Sequence, residues 1–281
     1  MLNIATVATH DERYLPVLDK QIKDKGEELV KLGFGKKYYG HIMKDKEMID
    51  YLKDLDKDQI VVFVDGFDTL CLGTSEEIVK KFKKMDKKLV ISIENIGYLS
   101  FIHSAIFNRV RGKYINTGLY IGYAGFMKDF LTKMYEYEHV KKSNQKNWSD
   151  FLFKNAWRHF DLNDIGLDVD NELFLNYSFS VSDRYIFDGD RIIANGVHPS
   201  FIQGNGCTNM NDIIKRNGYK TENINAEKIF SEGVRYSIKA IFSTYAPILN
   251  LYIYLLVLII IIICYTVYIN FIQKNKNKLF N

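Results

Sequence analysis

The run Ile60-Val61-Val62-Phe63-Val64 is apolar and rich in β-branched residues, and it stops abruptly at Asp65-Gly66-Phe67-Asp68. A run of this kind reads as a buried strand. Two carboxylates three residues apart at its end are costly to hold there unless something pairs with them. A divalent cation is a natural partner.

Around this run, strand-like segments alternate with charged helical ones, the pattern of βαβ units. Strands are expected near residues 3–8, 60–64, 88–93 and 114–123. Helices are expected over 16–32 and 75–85, where apolar residues recur at helical spacing, with Pro16 in a first turn, Gly33 at a helix end and acidic residues after Ser75. In the less regular second half, 126–137 and 150–160 read as helical, 181–193 as extended and 196–206 as a loop. The expected fold class is α/β, a mostly parallel Rossmann-like sheet with flanking helices.

Of the formal net charge of +4, three units come from Lys274, Lys276 and Lys278, so the rest has no basic excess of the kind nucleic-acid binding requires. Cys71, Cys207 and Cys264 lack metal-type spacing, and no disulfide framework is expected. From Ala240 to Gln273 there is no charged residue, and Leu255 to Ile263 is wholly apolar. A spanning helix needs about 20 apolar residues, so a single-pass transmembrane anchor in the lipid bilayer is expected here, with Tyr245, Tyr252, Tyr254, Tyr265 and Tyr268 at its margins. The start of the chain reads as a strand and not as a signal peptide. The expected organisation is a catalytic-type domain over 1–239, the anchor over 240–273 and a basic tail over 274–281, with the large domain on the cytosolic side. Two glycosylation sequons, at Asn147 and Asn176, bear on that orientation because they are used only on the lumenal side.

Asp65 and Asp68 lie where open α/β sheets bind ligands, at the C-terminal end of a strand. Hard cations such as Mg²⁺ or Mn²⁺ prefer oxygen ligands and bridge phosphates, which suits a nucleotide diphosphate. By itself a D-x-x-D after a strand is more often a solvated strand end.

Phe63 to Leu70, then Gly73 and Glu77 to Phe82, resembles the metal-binding segment and following helix of the glycosyltransferase domain in the procollagen lysyl hydroxylase/glucosyltransferase family. Thr6-Val7-Ala8-Thr9 is similar to that family's first strand, Lys113 to Ala124 to its Asn-Ser-Gly-Gly strand, Asp170 to Phe174 to its acidic Gln-Leu-Phe segment, and Gln203-Gly204-Asn205-Gly206 to its His-Gly-Asn-Gly turn. The resemblance covers about residues 3–206 and implies a GT-A fold, a UDP-sugar donor and Mn²⁺, with Mg²⁺ as the alternative ion. It also implies transfer of a hexose to a protein acceptor, hydroxylysine-bearing and collagen-like. The family's oxygenase domain has no counterpart in the chain.

The resemblance assigns the metal to Asp65, Asp68 and Gln203, and the nucleotide to Thr6, Val7, Thr9, Lys44, Phe67, Gly204, Asn205 and Gly206. Asn116, Asp170 and Glu172 become the candidates for orienting sugar hydroxyls or activating the acceptor, and Gly118 for close backbone approach. Bland readings stand beside these: a core strand for Val7 and Thr9, a surface lysine for Lys44, a turn for Asn116, a helix cap for Asp168 to Asp170. Three departures matter, one of them the absence of the family's lysine after the Gly-Asn-Gly turn, where Cys207-Thr208-Asn209 stands. Gln203 replaces the family histidine, contributing an amide oxygen but neither imidazole nor charge, and nearby His198 is a candidate substitute. Tyr98 stands where the family has a tryptophan. Three readings compete: a metal-dependent hexosyltransferase, a membrane-anchored binding protein that has kept the fold without turnover, and a nucleotide-sugar hydrolase or phosphotransferase.

Overall fold

The computed structural model describes residues 2–95, 107–137, 144–177, 185–205 and 208–222, with short pieces between 224 and 259. The chain divides into two units, Met1–Val234 and Arg235–Asn281, and every element named below belongs to the first.

At the centre of that unit is a six-stranded sheet of β1 (Leu2–Val7), β2 (Leu29–Leu32), β3 (Ile60–Val64), β5 (Leu89–Ile93), β6 (Ile115–Tyr123) and β7 (Ile165–Leu167), in the order β2-β1-β3-β6-β5-β7. The pairs β1/β2, β1/β3 and β5/β7 are parallel. β6 runs antiparallel to both β3 and β5, so the sheet is mixed and parallel-rich. Beside it lies a three-stranded sheet in the order β4-β11-β8, made of β4 (Thr69–Cys71), β8 (Phe174–Tyr177) and β11 (Phe201–Gly204), and a hairpin of β9 (Ile186–Asp188) and β10 (Arg191–Ile193).

Alternation along β3 explains the layering, because successive side chains point to opposite faces. Val61 and Phe63 enter one core with Met43, Met48 and Leu52 of α2 (Ile42–Leu52), Met127 and Phe130 of α4 (Ala124–Tyr137) and Trp148 and Phe151 of α5 (Asn144–Lys154). Ile60, Val62 and Val64 enter the other, with Leu15, Leu18 and Ile22 of α1 (Leu15–Asp24) and Ile78 and Phe82 of α3 (Ser75–Lys84). A sheet with apolar residues on both faces needs both faces covered. The same alternation places Asp65, next in register after Phe63, toward the face that α2 covers.

Several expected boundaries shift. The helix expected over 16–32 stops at Asp24, because Gly26 at φ +80° leaves the helical region, and Leu29–Leu32 instead pairs with β1. The helix α3 is capped by the Thr74 hydroxyl, which accepts from Glu77 N at 3.3 Å. The helix expected over 150–160 begins at Asn144 and ends at Lys154. Phe201–Gly204, expected as loop, is a buried strand inserted between β4 and β8. Residues 181–184, Tyr98, Gly206, Cys207 and Cys264 lie outside the described residues.

The expected single-pass membrane placement is corrected. Among the described residues no helix is long and apolar enough to cross a membrane. The longest of these helices, α4, has 14 residues and so reaches only about 21 Å, against the roughly 30 Å of a bilayer core. The stretch 240–273, apart from Ile259, lies outside the described residues, and the anchor and the cytosolic orientation are withdrawn with it. The sequons are also explained differently: Asn147 is 3% exposed and Asn176 fully buried, the latter with its amide donating to Ser92 Oγ at 2.6 Å and to the Ile93 carbonyl. Neither side chain has room for a glycan in this fold.

Candidate active site

The C-terminal ends of β1, β3 and β5 and the start of antiparallel β6 meet at one edge of the main sheet, which gathers Thr9, Asp65, Glu94 and Asn116. Asp65 extends β3 by one more rung, its N–H donating to the Gly118 carbonyl at 2.8 Å. The chain then turns through Gly66, where a Cβ would lie 2.8 Å from Thr6 Oγ1 and 2.9 Å from Leu15 Cδ1. Only glycine lets this turn settle onto β1 and α1, and the turn brings Asp68 back beside Asp65.

Gln203 comes from the other sheet. β11 pairs with β4 so that Gln203 stands opposite Thr69, the residue after Asp68, and Gly204 N donates to the Asp68 carbonyl at 2.7 Å. The Gln203 amide then bridges the two carboxylates, donating from Nε2 to Asp68 Oδ1 at 3.1 Å and Asp65 Oδ2 at 3.3 Å. Its Oε1 is buried without a partner. From α2, the Lys44 ammonium donates to Asp65 Oδ1.

Charge follows this geometry. Burial, and then the adjacent Asp65 carboxylate, pushes the Asp68 carboxyl up to about 7, against the pull of Lys44, Gln203 and Arg13. Burial disfavours the Lys44 ammonium, but Asp65 outweighs it and holds the lysine above its ordinary value. Two neighbouring carboxylates with one resident cation are short of positive charge.

The donors suit a hard cation in kind. Asp65 Oδ2 and Asp68 Oδ1 already converge on one amide, and turning that amide end for end would present the orphaned Oε1 in place of Nε2. Among the described residues no three His, Cys, Asp or Glu side chains group to hold an ion, so an ion at this place would rest on two carboxylates and one amide. His198 is not part of it: its Nε2 lies 3.4 Å from Asp188 Oδ2 on β9.

A second group adjoins the first. Glu94, directly after β5, accepts from Asn116 Nδ2 at 2.9 Å, Asn205 Nδ2 at 2.5 Å and Gln145 Nε2 at 3.2 Å. Asn116 also donates to Asn205 Oδ1 at 3.3 Å and accepts from Gly118 N at 2.7 Å, and so ties Glu94 to the backbone beside Asp65 and Gln203. Sequence reasoning found Asn116 and Asn205 but missed Glu94 and Gln145. The signal for Glu94 was its position, the first carboxylate after the strand Leu89–Ile93, as Asp65 is after β3.

The remaining candidates divide. Phe67 is partly buried with its ring 5.5 Å from that of His10, and Thr9 Oγ1 lies 2.9 Å from His10 Nδ1, so these three share the β1 side of the edge. Thr6 and Val7 point into the interior, 0% and 8% exposed. Gly204 packs against Met210, whose Sδ would lie 2.9 Å from an added Cβ. Asp170 and Glu172 do not join the cluster: Asp170 is exposed, and Glu172 pairs at 2.9 Å with Lys84 in the last turn of α3. The buried carboxylate of that segment is Asp168, and it does cap, though not a helix. It accepts from Glu172 N, Leu173 N and Phe174 N at 2.7 to 2.9 Å where the chain enters β8.

Residues 1–228 match the family model described as the PLOD GT domain. The chain belongs to this glycosyltransferase-domain family. It is 27% identical over 161 residues to procollagen-lysine,2-oxoglutarate 5-dioxygenase 1 of Gallus gallus, a match covering 55% of this chain and 22% of that protein. It is 31% identical over 86 residues to procollagen-lysine,2-oxoglutarate 5-dioxygenase 2 of Homo sapiens, covering 29% of this chain and 11% of the relative. The PLOD-type chain thus spans under a quarter of the length of these relatives. Among solved structures, the galactosyltransferase LgtC in complex with donor and acceptor sugar analogues aligns with TM-score 0.44 at 12% identity over 84% of this chain and 96% of that one. Mouse xyloside xylosyltransferase 1 aligns with TM-score 0.40 at 10% identity over 74% and 99% of the two chains.

Proposed function

We propose that this PLOD-type domain is a metal-dependent hexosyltransferase of GT-A type, taking glucose or galactose from a UDP-sugar to a hydroxylysine-type or other protein acceptor. The observation that carries this reading is the convergence of Asp65, Asp68 and Gln203 beside the Glu94–Asn116–Asn205 group at one sheet edge. One half of the site is built for a cation and diphosphate, the other for hydroxyl groups.

Asp65, Asp68 and Gln203 would hold Mn²⁺ or Mg²⁺, which when bound supplies positive charge against the negative charge of the departing UDP. Lys44 adds a second positive charge on the same side. Phe67 and His10 offer ring faces to the nucleotide base. Glu94 is the hydroxyl-facing carboxylate, and the Asn116, Asn205 and Gln145 amides help to fix its orientation so that it accepts a hydrogen bond, or a proton, from a sugar or acceptor hydroxyl.

A second reading has a specific observation behind it. Lys44 and Gln203 already satisfy much of the carboxylate pair, as a binding protein without turnover would require. The separating experiment measures Mn²⁺-dependent release of UDP from UDP-glucose and UDP-galactose by the full chain, with and without a hydroxylysine-bearing collagen peptide. Transfer that is lost in Asp65→Ala and Asp68→Ala and falls about 100-fold in Glu94→Gln, a general-base magnitude, supports the enzyme. Absence of both donor binding and Mn²⁺ binding by calorimetry sinks it, and release to water alone moves the assignment to a hydrolase.

A further inference from the structure

We propose that Lys44 and the Gln203 amide together act as a built-in stand-in for the metal, so that a divalent cation enters only by displacing the Lys44 ammonium from Asp65 and turning the Gln203 amide over. The inference rests on the metal reading above and deepens it. Three observations carry it. Lys44 reaches from α2 to Asp65 Oδ1, and its side chain is only 20% exposed, as is that of Asp65. Gln203 Nε2 donates to the remaining Asp65 oxygen and to Asp68 Oδ1. The amide's other end, Oε1, is buried with no donor facing it, although Gln203 is only 3% exposed.

The orphaned oxygen sets the direction of the exchange. A buried amide oxygen without a donor costs free energy, and it is tolerated here because Nε2 serves two carboxylates at once. A cation between the carboxylates reverses the preference, since it repels the N–H groups and attracts the oxygen. Turning the amide frees Asp65 Oδ2 but leaves the Lys44 ammonium on Asp65 Oδ1, where its positive charge opposes an incoming cation. Lys44 can leave because its ammonium sits on a flexible stem, whereas Gln203, its backbone held in β11 between two neighbouring strands, turns its amide in place. The site is thereby held in shape before any ion arrives, at the expense of ion affinity.

The test is Mn²⁺ binding without donor, measured by calorimetry on the full chain. Lys44→Met removes the competing charge and is expected to bind Mn²⁺ about tenfold more tightly, equivalent to about 1.4 kcal/mol, while Lys44→Arg stays near wild type. Equal or weaker Mn²⁺ binding by Lys44→Met, with wild type binding the ion, overturns the displacement and leaves the metal reading standing. No Mn²⁺ binding by any of the three proteins overturns both. A measurement on the wild type alone guards against misfolding of the variant. Reductive methylation of Lys44, read by peptide mass spectrometry, should rise at least severalfold when Mg²⁺ is added without nucleotide, because the freed ammonium becomes reactive. Labelling that is indifferent to Mg²⁺ contradicts the proposal.

Discussion

Gly118 and Gln203 are fitted to one another across the two sheets. A Cβ on Gly118 would lie 2.5 Å from Gln203 Oε1, closer still to Nε2, and 2.8 Å from Asp65 Oδ2. The space a side chain would need at Gly118 is taken by the Gln203 amide and the Asp65 carboxylate. Gly118→Ala should drive the Gln203 amide off the carboxylate pair. The expected outcome is a loss of Mn²⁺ affinity of at least tenfold with a stability cost of about 1–3 kcal/mol, the usual range for overpacking. Calorimetry and urea denaturation read the two effects separately, and unchanged Mn²⁺ binding would refute the fit.

Gln203 stands where the resemblance read from the sequence places a histidine. Gln203→His restores an imidazole ligand, a stronger donor to Mn²⁺ than an amide oxygen. It also removes the Nε2 bridge between Asp65 and Asp68. Mn²⁺ affinity should rise by about tenfold, roughly 1.4 kcal/mol, while thermal stability of the ion-free protein falls. A variant that binds Mn²⁺ no better than wild type would remove Gln203 from the ligand set.

Asp168 holds the entry to β8 through three backbone amides, with Oδ2 accepting from two of them at 2.8 and 2.7 Å. In Asp168→Asn one carboxylate oxygen becomes an N–H₂ group, which faces at least one N–H donor and leaves it unsatisfied. The cost should be about 2 kcal/mol, measured by chemical denaturation. A change below a few tenths of that value would show the cap to be dispensable.

Glu77 on α3 supplies a pH dependence. Arg191 of β10 meets its two oxygens at 2.8 and 3.2 Å, and Lys81 Nζ lies 2.5 Å from one of them. Burial pushes the Glu77 carboxyl up, but the Arg191 and Lys81 hydrogen bonds outweigh it and leave the group below its ordinary value of 4.5. A carboxyl lowered by folding stabilises the fold above its unfolded value and loses that contribution as pH falls through its folded value. Glu77→Gln should therefore cost about 1 kcal/mol at pH 7, a figure already discounted for solvent screening, and nothing in strong acid. Denaturation at several pH values checks this: an equal deficit across the range would assign the effect to packing.

Local sequence determined the strands at Leu2–Val7, Ile60–Val64, Leu89–Ile93 and Ile115–Tyr123, because each alternates apolar residues onto two covered faces. It also determined the position of Asp65 and Asp68 at a strand end. Helix α3 was legible for the same reason, with Glu76 and Glu77 in its first turn and Lys83 and Lys84 in its last. Local pattern failed at Leu29–Leu32, where four residues after Gly26 continue a helical periodicity yet gain a strand partner in β1. It failed again at Phe201–Gly204, too short to announce itself, which becomes a strand because β4 and β8 bind its backbone on both sides.

What only the tertiary structure decided is what meets the Asp65–Asp68 pair. Lys44 lies 21 residues before Asp65, and Gln203 lies 138 residues after it. Glu94, Asn116 and Asn205 come together from β5, β6 and the end of β11. Asp170 and Glu172 have the right chemistry in sequence, but the fold turns Glu172 toward Lys84 and leaves Asp170 in solvent. The physical reason is that the two carboxylates state a demand for positive charge, which is local. Supplying that charge requires side chains from separate elements, and their arrival depends on strand order and register, which no local pattern encodes.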